Sequence, residues 1–265
     1  MKALSQSGLE PVLLPTASAM DPTLFASRIC NEQPEPLIVV AGGDGTVNGV
    51  LNGLTAGKVT LAVIPTGTSN VLARELKIHA VDDALGRIAR GQSRPIPIGE
   101  LECDGHKKRF LLMAGVGVDG AVVQGVRLRE KRVVGKGAYL LSALRVLFAW
   151  DSDELKVTGG GRNVVCHSVI VCNAAKYGGN FLLSPQGGLF TTGFQVVCIK
   201  GGRLSYLKLF MLLTMGRAAS SRCVTIFAAD EVEIAGGKAI QMDGDYVGCA
   251  PLRLRSIPDF VRVIV

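Results

Sequence analysis

Two glycine-rich loops constrain this chain more than any other feature, because each lies between a short apolar run and a helix-like segment. The first apolar run, LIVVA (37–41), leads into Gly42-Gly43-Asp44-Gly45-Thr46 and then TVNGVLNGL (46–54). The second, TLAVI (60–64), leads into Pro65-Thr66-Gly67-Thr68-Ser69-Asn70 and a helix predicted over 69–77 (SNVLARELK). A continuous apolar run of this length is what a strand buried on both faces looks like. Strand, loop, helix, repeated, specifies a parallel sheet with crossover helices. Three further segments extend the pattern: a strand over 10–15 (EPVLLP) and helices over 21–32 and 81–90, with Asp21 as N-cap and Pro22 at the first helical position of the former.

After Gly91 the rhythm changes. RPIPIGELEC and HKKRFLLMAG read as two strands joined by a turn at Asp104-Gly105. Strand-like segments follow at 163–173, 194–199, 223–228, 230–234, 239–242 and 252–265, interrupted by helices over 137–150 and 204–216. The expected organisation is an α/β domain over 1–92 and a mostly β domain over 93–265.

Composition removes several function classes. The net charge is +7, which suits nucleic acid, anionic membrane or phosphorylated ligands alike. Aromatic residues are only 5%, too few for the base-stacking that single-stranded nucleic acid requires, so no nucleic-acid partner is expected. The seven cysteines are scattered without a CxxC, and the three histidines form no metal-ligand cluster. Reduced thiols in a cytoplasmic protein are the reading. No run of about 18 apolar residues is present, so no transmembrane helix is expected. MKALSQSGLEPV has no apolar signal core.

Five segments carry candidate chemistry. Gly42 to Thr46 follows a strand and opens a helix, where backbone N–H groups and the positive end of the helix dipole favour an anion. It is neither a Walker A loop nor GxGxxG. Asp44 is unexpected beside phosphate; it fits if it holds Mg²⁺ through water or bonds a hydroxyl, and helix capping is the plain alternative. Thr66, Gly67, Thr68 and Asn70 leave the neighbouring strand at the same sheet edge, where ligands of open α/β sheets bind. Asp119, in AGVGVDG (114–120), is read at the end of an apolar strand between glycines and suits a general base or metal-organising acid acting on a hydroxyl. Tyr177-Gly178-Gly179 and Met242-Asp243-Gly244-Asp245 complete the set, the latter read in isolation as a hairpin turn.

Taken in order, these motifs resemble the catalytic domain of the diacylglycerol kinase family, particularly bacterial lipid kinases of the YegS type. The matching stretches are AGGDGTVNGVLNGL (41–54), AVIPTGTSNVLAREL (62–76), FLLMAGVGVDGAVV (110–123), GKGAYLLSALRVLF (135–148), VCNAAKYGGNFLLSP (171–185) and IQMDGDYVG (240–248). The resemblance implies a Rossmann-like nucleotide-binding domain, similar to those of phosphofructokinase and NAD kinase, followed by a β-sandwich domain. It implies ATP and Mg²⁺ as cofactors, nucleotide contacts from Gly42 to Thr46 and Thr66 to Asn70, and Asp119 as the acid that activates the acceptor hydroxyl. Asp245 stands where many members have Glu and is a second catalytic candidate. Three departures stand out. The chain starts late, so the family's first strand and its loop are expected to be missing. Gly49 replaces a common Glu, and Val71 an Asp.

A lipid substrate implies work at a bilayer. RLREKRVVGK (127–136) and the segment 203–217, with Leu204, Leu207, Phe210, Met211 and Leu213 beside Arg203, Lys208 and Arg217, suit peripheral contact with an anionic surface. A core-packing helix with a solvated basic rim is the alternative. A homodimer is left open. Two other functional readings stand beside the lipid kinase: an NAD-kinase-like enzyme, and a nucleotide- and lipid-binding protein without turnover.

Overall fold

The structure, a computed structural model, describes residues 2–6, 8–126, 137–177, 181–184, 186–214 and 221–265. Helices α1 (Lys2–Gln6) and α2 (Asp21–Glu32) precede β1 (Leu37–Gly42), α3 (Asp44–Gly53), β2 (Thr60–Pro65), α4 (Val71–Glu75) and α5 (Val81–Arg90). Then come β3 (Ser93–Cys103), β4 (His106–Phe110), β5 (Met113–Val116), α6 (Val118–Gln124), α7 (Gly137–Phe148), β6 (Leu155–Gly159), β7 (Arg162–Cys166) and β8 (Ser168–Cys172). The chain continues through β9 (Lys176–Tyr177), β10 (Phe181–Leu182), β11 (Phe194–Ile199), α8 (Arg203–Thr214), β12 (Val224–Ala229), β13 (Glu231–Ala235), β14 (Ala239–Met242), β15 (Asp245–Cys249) and β16 (Leu252–Ile264).

β1 and β2 pair in parallel, Leu37 opposite Thr60 through Gly42 opposite Pro65, so both glycine-rich loops leave the same edge. The long strand β16 decides how the rest is attached. Its end runs parallel to β2, Arg262 opposite Thr60, while its start pairs antiparallel with β13, and β3 follows it almost end to end. One eight-stranded sheet therefore serves two layers. Its β1–β2 end is the α/β layer. Its other end faces a six-stranded antiparallel sheet in the order β12-β11-β8-β5-β14-β15. Between these two sheets lies a core of Phe110, Phe194, Val169, Val171, Leu155 and Leu254, with the Phe110 and Phe194 rings 5.8 Å apart. β8 is buried on both faces. Val169 and Val171 enter the sandwich, and Ile170 and Cys172 enter a second core with Leu51, Leu61, Leu72 and Val263.

Several expectations need correction. Residues 10–15 form no strand. Asp21 lies inside the first turn of α2, with Met20 at the N-cap, and its carboxylate accepts from the amides of Ala17 and Ser18 instead of from the helix. The apolar run 163–173 is two strands, because the chain changes sheets at His167: β7 pairs with β6, and β8 pairs with β5 and β11. Asp119 does not end a strand; β5 stops at Val116 and Asp119 sits in the first turn of α6. Strands β6 and β15 had no sequence expectation. The basic segment 127–136, Gly178, Gly179 and Arg217 lie outside the described residues. β1 pairs only with β2 among the described residues.

Gly49 has a local explanation. With Gly53 it forms the face of α3 on which α2 lies, and the Thr23 hydroxyl donates to the Gly49 carbonyl at 2.8 Å. A Cβ at Gly49 would meet Pro22 at 3.0 Å, and one at Gly53 would stand 2.2 Å from the Thr23 carbonyl oxygen. The two helices thus touch backbone to backbone. Gly53→Ala forces them apart and should cost about 1–3 kcal/mol, read as a lowered midpoint in chemical denaturation with the slope unchanged.

Candidate active site

The two glycine-rich loops touch. A Cβ on Gly67 would lie 2.5 Å from the Gly43 Cα, so the backbones meet without side chains between them, and the Thr66 amide donates to the Gly42 carbonyl at 3.3 Å. Asn70, in the left-handed region at φ 47°, closes the second loop on itself: its Oδ1 accepts from the Gly67 amide at 3.0 Å and its Nδ2 donates to the Gly67 carbonyl at 2.8 Å. Asp44 reaches across between them. Its carboxylate accepts from the amides of Val71 at 3.1 Å and Leu72 at 3.2 Å, the first two residues of α4. This answers why an acid stands in a phosphate-type loop. It caps the neighbouring helix rather than facing an anion, so the first N–H groups of α3, which have no intrahelical partner, are the ones left for a ligand. Thr46 lies against Gly42, while Gly45, Thr66, Gly67 and Thr68 are exposed along the rim.

A hydrogen-bonded path runs from this rim into the second part of the chain. Asn48, one turn into α3, donates to Asp243 Oδ2 at 2.9 Å and to the Arg109 carbonyl at 3.1 Å. Asn52, one turn further, donates to the same carbonyl at 3.0 Å, and its Oδ1 accepts from the Arg109 amide at 2.9 Å. The Asp243 carboxylate also accepts from the amides of Leu111, Leu112 and Met113 at 2.8, 2.9 and 3.0 Å. Burial pushes the Asp243 carboxyl up, and these four donors oppose the rise by matching the ionised form. Asp243 and Gly244 both have positive φ and make the two-residue turn between β14 and β15, with Met242 opposite Asp245. Buried Gln241 then links the turn to Asp119. Its Oε1 accepts from the Gly244 amide at 2.8 Å, and its Nε2 donates to Asp119 Oδ2 at 2.6 Å. Asp119 lies over Gly115, where a Cβ would come 2.0 Å from its carboxylate. Burial, reinforced by the Asp119 charge, pushes the Cys172 thiol up to about 12.

A second bridge joins the two parts. The Lys176 amide donates to Glu75 Oε1 at 2.6 Å, and the Lys176 ammonium donates to the Arg74 carbonyl at 2.9 Å. The structure therefore brings Gly42–Thr46 together with Thr66–Asn70 and connects them to Asp119 through Asn48, Asp243 and Gln241. Asp245 is exposed, one residue beyond the turn. Asn48, Gln241 and Asp243 had no sequence expectation of their own. The Asp-Gly-Asp turn signal was legible, but nothing local showed that its first carboxylate is a clamp. Among the described residues no group of three or more His, Cys, Asp or Glu is arranged to hold a metal ion.

The class defined by this architecture is a nucleotide-binding α/β layer with a β-sandwich, and comparison with known proteins narrows it. The family model of the diacylglycerol kinase catalytic domain matches residues 1–101, and that of the YegS C-terminal NAD kinase beta sandwich-like domain matches residues 113–265. The chain belongs to the YegS-like diacylglycerol kinase family. It is 27% identical to a diacylglycerol kinase of Bacillus subtilis (strain 168), covering all of this chain and 89% of that protein. It is 26% identical to a diacylglycerol kinase of Staphylococcus aureus (strain Newman), over 98% of this chain and 84% of that one. A crystal structure of a putative diacylglycerol kinase from Bacillus anthracis superposes with a TM-score of 0.81 at 21% identity, covering 99% of this chain and 86% of that chain. An NAD kinase from Archaeoglobus fulgidus, solved in complex with ATP, shares the fold with a TM-score of 0.54 at 13% identity, over 100% and 87% of the two chains.

The contact of Gly43 with Gly67 generates a direct expectation. Gly67→Ala must separate the loops, and should weaken ATP binding at least tenfold, about 1.4 kcal/mol, in a protein that still unfolds in one cooperative transition; nucleotide titration by calorimetry beside a melting curve checks both.

Proposed function

We propose that this chain is an ATP- and Mg²⁺-dependent lipid kinase that moves the γ-phosphate onto a hydroxyl of diacylglycerol or a related lipid. The observation that carries the reading is the path from the α3 N-terminus through Asn48, Asp243 and Gln241 to Asp119. It joins an anion-binding rim to a carboxylate oriented by a buried amide. In this reading the β- and γ-phosphates of ATP lie against Gly43, Gly45 and the Thr66–Asn70 loop, in the field of the α3 N-terminus. Asp119, steered by Gln241, accepts the proton of the lipid hydroxyl as its oxygen bonds to the γ-phosphorus. The bond from that phosphorus to the bridging oxygen breaks, and ADP leaves. Mg²⁺ supplies neutralisation of the phosphate charge. Such an ion needs only one or two carboxylates beside phosphate oxygens and water. Asp44 and Asp243 are committed to backbone amides and Asp119 to Gln241, so exposed Asp245 is the acid of the set that would hold it.

The lipid side of the reading rests on α7 and α8. They expose Leu141, Leu144 and Phe148, and Leu204, Leu207 and Met211, respectively. Trp150, just past α7, packs edge-on against Tyr206 of α8 with centroids 5.2 Å apart, which ties the end of α7 to α8. Exposed Arg145, Arg203 and Lys208 lie among them. Apolar side chains ringed by cations on a chain of net charge +7 fit a bilayer carrying anionic lipid, approached peripherally from the cytoplasm. No helix among the described residues is long and apolar enough to cross a membrane.

The test is transfer of label from γ-labelled ATP with Mg²⁺ into mixed micelles holding diacylglycerol, ceramide, sphingoid base or phosphatidylglycerol, with NAD as a soluble acceptor. Label should enter one lipid class and fall at least a hundredfold in Asp119→Asn, within the range removal of a general base produces. Label in NAD alone, or equal rates in the variant, would refute the assignment.

A further inference from the structure

Four of the buried polar residues outside the path just described, Ser142, His167, Ser168 and Lys238, form contacts that lead to one helix, α6. Such groups cost stability unless they are matched, so their partners are informative.

At the N-terminal end of α6, the Val118 amide donates to Ser168 Oγ at 2.9 Å. Gly117, at φ 99°, permits this approach, since a Cβ there would lie 2.4 Å from Ser168 Oγ. Ser168 Oγ is 3.1 Å from His167 Nδ1, and the Tyr206 hydroxyl of α8 is 3.1 Å from the same nitrogen. His167 Nε2 is 2.5 Å from the Asp151 carbonyl, so Nε2 carries the hydrogen and Nδ1 is the acceptor. Nδ1 has one lone pair, so one hydroxyl donates to it while the other turns to its neighbouring hydroxyl. The ring is fixed from the side as well. Trp150 stacks on His167 at 4.3 Å and 10°, and Tyr206 meets both rings edge-on. Lys238 is 3.1 Å from Asp151 Oδ2, which anchors the segment that supplies the carbonyl.

At the other end of α6, the Ser142 hydroxyl of α7 donates to the Val122 carbonyl at 2.6 Å, and a Cβ on Gly125 would lie 2.5 Å from that hydroxyl. Thus α8 is connected to the first turn of α6, α7 to its last, and Asp119 lies in the first turn. Both helices so connected carry apolar side chains in solvent; Phe148 and Leu204 are each 82% exposed.

We propose that Tyr206, His167 and Ser168 are positioning residues that couple the apolar faces of α7 and α8 to the setting of Asp119, so that seating those faces on an anionic bilayer fixes the acid for transfer. This rests on the lipid-kinase reading, and adds to it how the acceptor acid is tied to the surface that carries the substrate. Contacts of this length transmit displacement because a packed, hydrogen-bonded cluster has few arrangements that keep every group matched.

The experiment follows hydrogen exchange across residues 117–125 of the full chain, with and without phosphatidylglycerol-containing vesicles, in the wild type and in Tyr206→Phe. Trp150, the only tryptophan in the sequence, reports vesicle contact by its emission. The wild type should bind the vesicles in a salt-sensitive way, and exchange across 117–125 should slow several-fold. Tyr206→Phe, which removes one hydroxyl, should bind the same vesicles with unchanged thermal midpoint but without the slowing. Its kcat toward vesicle lipid should fall about tenfold at an unchanged KM for ATP, a split that general loss of packing would not give. Equal slowing in both proteins, or none in the wild type, overturns the coupling. Absence of vesicle binding overturns it together with the bilayer assignment. Absence of transfer with the exchange pattern intact leaves the coupling standing and refutes the kinase reading alone.

Discussion

The Asp243 carboxylate is the point on which the rest of the site hangs. It gathers three consecutive amides, Leu111 to Met113, and the side chain of Asn48. Those donors come from the linker after β4, from the first residue of β5 and from the helix that follows the first glycine-rich loop. Four N–H groups sharing two oxygens in a low-dielectric surrounding make a strong and directional joint, and each would be costly to leave unmatched. Because Asp243 is also the first residue of the β14–β15 turn, the joint fixes where Gln241 points. Gln241 in turn orients Asp119.

The chain closure reinforces this. β16 adds its end to the parallel layer and its start to the sandwich, so the last strand ties the α/β part to the β part with backbone bonds. The Lys176 to Glu75 and Arg74 contacts add a second connection across the same region. Two layers held at several separated places behave as one platform, and a platform is what a reaction joining two bound substrates needs, since misplacement by an ångström is expensive.

Much of the architecture was legible in the sequence. LIVVA and TLAVI are strands, and the glycine loops after them lie side by side, because an apolar run ended by glycine admits few alternatives. The Asp104-Gly105 hairpin is legible from its turn pair: both residues take the positive φ such a turn requires. EPVLLP misled because an apolar run bounded by prolines satisfies the strand pattern without a partner to pair with. The break at His167 was hidden, since two apolar strands follow one another with no glycine or proline between them. Asp119 reads as a strand-end acid because α6 is only seven residues long and opens between glycines. The clamp at Asp243 was illegible, since its partners lie 130 or more positions away. Gly49, which reads as the loss of an acid, is a packing residue here.

If the glycine-loop rim and Asp119 act as one unit through Asn48 and Asp243, Asn48→Ala uncouples them, since Asn48 belongs to neither the loop nor the first turn of α6. Single-turnover transfer from γ-labelled ATP to diacylglycerol, measured beside ATP affinity, should show the transfer rate reduced at least tenfold, about 1.4 kcal/mol in barrier, with nucleotide binding and fold retained. An unchanged transfer rate, or a loss wholly explained by weaker ATP binding, would show that the rim and Asp119 are set independently.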